Sequence, residues 1–149
     1  MAKILIVDDD RDLLYLFPLL LEREGHIVET VSSKNKVDNI LSSFLPDLII
    51  LDILLQREDG RKLCKEIKAK YSSNIPVILM SASGKLLNNY KEWKADAGIE
   101  KPFDIHVLNK TINDVLSRYQ NSSKHISDKN LHGFAQTEVN TDYTKVLNY

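Results

Sequence analysis

The sequence has a single cysteine, Cys64, in 149 residues. That excludes an intramolecular disulfide and any Cys-x-x-Cys site, and it suits a reducing compartment. There is no surplus of either charge: 20 Lys and Arg stand against 21 Asp and Glu, a formal net charge of −1. No global basic excess drives nonspecific binding to nucleic acid or to an anionic membrane. Long hydrophobic runs are also missing. Leu13 to Leu21 is nine uncharged residues interrupted by Pro18, too short to cross a bilayer. Ile4–Val7 is too brief for a signal-peptide core and runs straight into three aspartates. These absences predict a cytoplasmic chain without membrane insertion. The Asn-x-Ser/Thr triplets at Asn109 and Asn121 then imply no glycan.

What is present is an alternation of short apolar runs with segments of helical period. The expected strands are Ile4–Val7, Ile27–Val31, Leu48–Leu51, Pro76–Met80 and a weaker Ala97–Glu100. Leu13, Leu16, Phe17, Leu20 and Leu21 mark a first helix over 11–24, capped by Asp10 and ended by Gly25, with Pro18 an uncompensated cost of roughly 3 kcal/mol. Val37, Ile40, Leu41 and Phe44 mark a second helix, and Leu63, Cys64, Ile67 and Tyr71 a third. Asp59-Gly60 is a turn signal before the latter. Leu86, Leu87 and Tyr90 suggest a short fourth helix, and Ile105 to Tyr119 a last one. Five β–α units in about 120 residues argue a parallel sheet with helices on both faces. Residues 121–149 contain nine hydrophobic residues in 29, without a period. They read as a polar tail, disordered or loosely packed, beyond a domain spanning 1–120.

In such sheets ligands bind at the carboxyl ends of the strands. Asp8, Asp9 and Asp10 follow the first strand, Asp52 the third, Ser81 the fourth and Lys101 the fifth. Carboxylates gathered at one edge repel, and a small hard cation such as Mg²⁺ relieves that repulsion while leaving positions for phosphate oxygens. A lysine neutralises an incoming anion, a serine hydroxyl donates to a phosphoryl oxygen, and a carboxylate can itself attack phosphorus. These parts describe an aspartate that accepts a phosphoryl group.

The chain resembles the receiver domain of bacterial two-component response regulators over residues 3 to about 119. The resemblance rests on Val7-Asp8-Asp9, on Asp52-Ile53-Leu54-Leu55 running to Asp59-Gly60, on Ser81-Ala82, and on Lys101-Pro102-Phe103, in that order. It implies a flavodoxin-like, doubly wound α/β fold of five parallel strands in the order 2-1-3-4-5. It implies Asp52 as phosphoacceptor and Mg²⁺ held by Asp8, Asp9, Asp52 and the backbone carbonyl of Leu54. Ser81, the backbone N–H of Ala82 and Lys101 would bind the phosphoryl group. The donor would be a phosphohistidine on a histidine kinase or histidine phosphotransfer protein, and the output an altered contact with a downstream protein. A signalling acceptor rather than an enzyme is expected, apart from slow self-dephosphorylation. The lack of further residues with a helix-turn-helix pattern argues against direct DNA binding.

Three departures from the family pattern stand out. Gln56 occupies the usual proline position, which would free the loop after Asp52. Gly98 occupies the place of the switch aromatic three residues before Lys101. The Ser81–Lys101 segment is short, which trims the fourth helix or its loops. These departures predict an output that rearranges 82–98 instead of rotating an aromatic ring. They also keep a pseudo-receiver, an interaction module without phosphorylation, among the alternatives. A Mg²⁺-dependent aspartyl-phosphate phosphatase is a further alternative, but Leu54 stands where a second catalytic acid would be expected and no cap is inserted. A flavin phosphate would be repelled by the acidic first loop.

Several residues have plainer readings. Asp10 is a helix cap, Cys64 a small core residue, and Tyr90 and Trp93 packing beside the fourth helix. Lys85, Lys91 and Lys94 read as a solvated face. His26 and His106 are isolated, and His125 and His132 lack metal-ligand spacing.

Overall fold

The computed structural model describes residues 1–71 and 74–133. From Met1 to Tyr119 the chain forms one compact unit, and a second begins at Gln120. In the first unit, β1 (Lys3–Val7), α1 (Arg11–Arg23), β2 (Ile27–Val31), α2 (Val37–Phe44) and β3 (Leu48–Asp52) follow one another. A two-residue ribbon, β4 (Leu54–Leu55) and β5 (Glu58–Asp59), leads into α3 (Gly60–Lys70). Then come β6 (Val77–Ser81), a four-residue α4 (Gly84–Leu87), a 3₁₀ turn (Tyr90–Trp93), β7 (Ala97–Glu100) and α5 (Ile105–Gly133).

The main sheet is parallel in the order β2-β1-β3-β6-β7, which is 2-1-3-4-5 when its own strands are counted. The β3 and β6 side chains are buried throughout, because helices cover both faces of a parallel sheet. Alternate strand residues feed two cores. Leu5, Val7, Ile49, Leu51 and Leu79 pack with Leu41 of α2 and Leu63, Cys64 and Ile67 of α3. Ile4, Ile6, Ile50, Ile78 and Met80 pack with Phe17 and Leu21 of α1 and Leu108, Ile112 and Val115 of α5. Burial raises the Cys64 thiol to about 12, so it is the inert core residue expected.

Asp10 caps α1 as expected, accepting from the N–H groups of Asp12 and Leu13. The helix runs through Pro18. Phe17 and Leu21 are buried on either side of it, and their burial, roughly 2–3 kcal/mol each, offsets the proline cost. Tyr119 does not end the last helix, and the expected tail is helical as far as Gly133. Neither proline nor glycine interrupts residues 105–132, so nothing in the sequence stops the helix earlier. Residues 134–149 of the expected tail lie outside the described residues, as do the side chains of His125 and His132. Among the described residues no helix is long and apolar enough to cross a membrane.

Candidate functional site

Strand register assembles the site. Val7 of β1 pairs with Leu51 of β3, so Asp8 and Asp52 emerge side by side on neighbouring strands. Asp52 pairs with Met80 and Ser81 with Glu100, so Ser81 and Lys101 emerge at the same edge. The Lys101 N–H donates to the Ser81 carbonyl at 2.8 Å and fixes that alignment.

The side chains then converge. Lys101 Nζ donates to Asp8 Oδ2 at 2.7 Å and to Asp52 Oδ1 at 3.1 Å. The other oxygen of Asp8 accepts from the Asp10 N–H at 2.9 Å. Asp8, Asp9 and Asp52 each offer a carboxylate oxygen, and these lie within 4.8 Å of one another. Asp8 and Asp52 are buried while Asp9 is half-buried. Among the described residues, three carboxylates thus face one ammonium. Burial raises the Asp52 carboxyl above its ordinary value; Lys101 opposes this, and Asp8 and Asp9 add to it. Burial pushes Lys101 the other way, but its bonds to Asp8 and Asp52 prevail and hold its pKa above the usual lysine value. An excess of hard oxygen donors on buried and half-buried carboxylates fits Mg²⁺, since each further unit of positive charge relieves the remaining repulsion.

Ser81 is fully buried and its Oγ accepts from the Ser83 N–H at 3.0 Å. Ala82 is exposed beside it. Leu54 opens the small ribbon, opposite Asp59, with its side chain exposed. The loop after Asp52 carries contacts of its own where a proline would stand. Gln56 adopts a left-handed φ of 46° at the tip of the ribbon, and its N–H donates to Asp9 Oδ2 at 3.2 Å. Hairpin pairing and this bond do the tethering in place of a proline ring.

Asp59-Gly60 is more than a turn. A Cβ on Gly60 would stand 2.0 Å from the backbone oxygen of Asp52, and the Gly60 N–H donates to the Ile53 carbonyl at 2.8 Å. No side chain fits there. Asp59 caps α3 through the Arg61 N–H and grips the Arg61 guanidinium, with Nη2–Oδ2 at 2.8 Å. The Asp-Gly pair was the visible signal; the role of Arg61 had none.

At position 98 the absent ring leaves a gap that other residues fill. Leu87 Cδ2 and Tyr90 Cδ1 lie 3.2 and 3.5 Å from where a Gly98 Cβ would stand. Tyr90 and Trp93 pack against the α2–α3 core, as expected. Lys85, Lys91 and Lys94 are exposed. His26 Nδ1 is buried with no partner among the described residues, and the site does not involve it. On the other side of Lys101, an apolar groove of about 360 Å³ lies between α1 and the β7–α5 loop, lined by Leu13, Leu16, Phe17, Leu20, Phe103 and Ile105 together with Ala82 and Lys101.

This combination of sheet order and acidic pocket agrees with known proteins. Residues 4–113 match the family model described as "Response regulator receiver domain". The chain belongs to that family. It is 35% identical to a heme response regulator, HssR, of Staphylococcus epidermidis over 80% of this chain and 54% of that protein. It is 31% identical to a probable transcriptional regulator, ycf27, of Guillardia theta over 89% of this chain and 53% of that protein. Among solved structures, NtrX from Brucella abortus superposes with a TM-score of 0.77 at 30% identity, covering 85% of this chain and 29% of that one. The chain therefore spans about half the length of the curated relatives it matches.

Proposed function

We propose that this receiver domain accepts a phosphoryl group on Asp52 from a phosphohistidine of a histidine kinase or histidine phosphotransfer protein. The observation that supports this best is the charge imbalance: among the described residues Lys101 alone bridges Asp8 and Asp52, with Asp9 within reach. Asp8, Asp9, Asp52 and the Leu54 carbonyl are the candidate Mg²⁺ ligands. When bound, Mg²⁺ neutralises the carboxylates and draws phosphoryl oxygens toward them. A carboxylate oxygen of Asp52 attacks phosphorus in line, the phosphorus–nitrogen bond to the donor imidazole breaks, and the imidazole takes up a proton as it leaves. Lys101 then exchanges a carboxylate partner for a phosphoryl oxygen. The Ser81 hydroxyl and the Ala82 N–H donate to the same group.

The apolar groove beside Lys101 offers the donor protein a surface to dock on. The protein's output is an altered protein contact, through rearrangement of 82–98, because Gly98 supplies no ring to rotate. On this reading the chain is a cytoplasmic signalling acceptor and not a turnover enzyme. The test is intact mass after incubation with a small-molecule phosphodonor and Mg²⁺. One added phosphoryl group is expected, lost in Asp52→Ala and with a chelator. No addition under conditions that label a known receiver would leave the pseudo-receiver reading in its place.

A further inference from the structure

Besides packing on β6, the Gly84–Trp93 segment touches the body of the domain at two further places. One is β7, where Leu87 and Tyr90 close on Gly98. The other is α3, through Trp93. The Arg61 guanidinium carbon lies 4.8 Å from the Trp93 ring centroid and Lys65 Nζ lies 4.5 Å from it. Both cations stand within the range over which a ring attracts them. They are one helical turn apart on α3, so one rigid helix presents both to one ring.

The far end of this contact is the acceptor itself. Arg61 is held by Asp59 through its side chain and its backbone. Asp59 and Gly60 join the ribbon to α3, and Gly60 sits so tightly on the Asp52 carbonyl that no Cβ fits between them. A displacement of the backbone at 52–53 has no soft space to dissipate in before it reaches the first turn of α3.

We propose that this path, from the Asp52 backbone through Gly60 and Arg61 to Trp93, couples phosphorylation to the 84–93 segment in place of an aromatic at position 98. It rests on Asp52 being the phosphoacceptor. It differs from a relay through Ser81 in its route, because it leaves the sheet edge by α3 and enters the segment at its 3₁₀ end. A readout at the far end of the route separates it from a relay through Ser81.

Trp93 provides that readout, being the single tryptophan of the chain. The full chain is incubated with Mg²⁺ and acetyl phosphate, and intact mass and tryptophan emission are followed together. Emission is expected to change in step with phosphoryl uptake. In Arg61→Gln/Lys65→Gln, uptake is expected to persist while the emission change falls by about half or more. Lys65→Gln alone, which leaves the Asp59–Arg61 pair intact, is expected to show a smaller loss and covers the case in which the double variant misfolds. Hydrogen exchange across 84–93 should follow the same order. Full uptake with unchanged Trp93 emission overturns the route, as does a full emission change in the folded double variant. No uptake at all removes the phosphoacceptor reading and the route with it, and the mass measurement tells these failures apart.

Discussion

The two ends of the sheet each hold a lysine bonded to carboxylate, and they are built differently. At the carboxyl end Lys101 faces Asp8 and Asp52, with Asp9 nearby. At the amino end of β6 and β7, Lys68 Nζ donates to Asp96 Oδ2 at 2.7 Å and to the Tyr119 hydroxyl at 2.8 Å. Tyr119 in turn donates to Asp96 Oδ1 at 2.9 Å, and the Val77 N–H donates to Asp96 Oδ2 at 2.8 Å. Among the described residues the second cluster sets one ammonium against one carboxylate and satisfies that carboxylate from several sides. The first leaves negative charge over. A balanced buried cluster joins elements, here α3, β6, β7 and α5. An unbalanced one is prepared for something that is not yet bound.

The comparison breaks most visibly if the two lysines are neutralised. Lys68→Met leaves Asp96 without its ammonium and is expected to cost about 3 kcal/mol in urea unfolding, with no recovery in Mg²⁺. Lys101→Met also destabilises, because Asp8 and Asp52 then repel without relief, but Mg²⁺ is expected to restore part of the loss. Equal responses of the two variants to Mg²⁺ would remove the distinction between the ends.

Gly60→Ala tests how tightly the carboxyl end is built. The new methyl group would collide with backbone and not with a flexible side chain. A loss of about 2 kcal/mol or more is expected, with impaired phosphoryl uptake, measured by urea unfolding and intact mass.

A second pair should give opposite signs. The folded chain holds the Asp52 proton more tightly than the unfolded chain, because burial raises that carboxyl. Stability associated with Asp52 is present at acid pH and falls as pH rises through the raised value. Asp52→Asn removes that penalty and is expected to stabilise by about 1 kcal/mol at neutral pH. Asp96→Asn removes the charge that Lys68 needs and is expected to destabilise by a similar or larger amount, in the same thermal unfolding assay.

The carboxyl end was legible in the sequence because each of its side chains follows a short apolar run, and a parallel sheet gathers such positions at one edge. Asp8, Asp9, Asp52, Ser81 and Lys101 were all found that way. The amino end was not legible. Lys68, Asp96 and Tyr119 belong to three separate segments; Lys68 and Asp96 each alone read as ordinary surface residues, and Tyr119 as the last apolar position of a helix. The close approach at Gly60 and the left-handed turn at Gln56 were hidden for a related reason, since both depend on backbone placement across the ribbon. The helical continuation past Tyr119 has no hydrophobic period to announce it, although no residue before Gly133 forbids a helix.

The smallest expected effect sharpens the comparison most, because it removes one oxygen and no formal charge. Tyr119→Phe keeps the ring but deletes a hydroxyl that accepts from Lys68 and donates to Asp96. A cost of about 1 kcal/mol is expected. Burial raises the Tyr119 hydroxyl above its ordinary value of 10.0; Lys68 opposes this and Asp96 adds to it. The stability tied to that proton is complete below pH 10 and lost as pH rises through the raised value. Tyr119→Phe should therefore flatten the alkaline fall in urea midpoint, leaving the share due to Cys64 and to the other raised lysines, Lys68 and Lys101 among them. Phosphoryl uptake should be untouched, because the balanced end supports the fold without taking part in the chemistry. A variant that unfolded normally yet lost phosphorylation would show that the two ends are coupled, and that the helix joining them transmits more than stability.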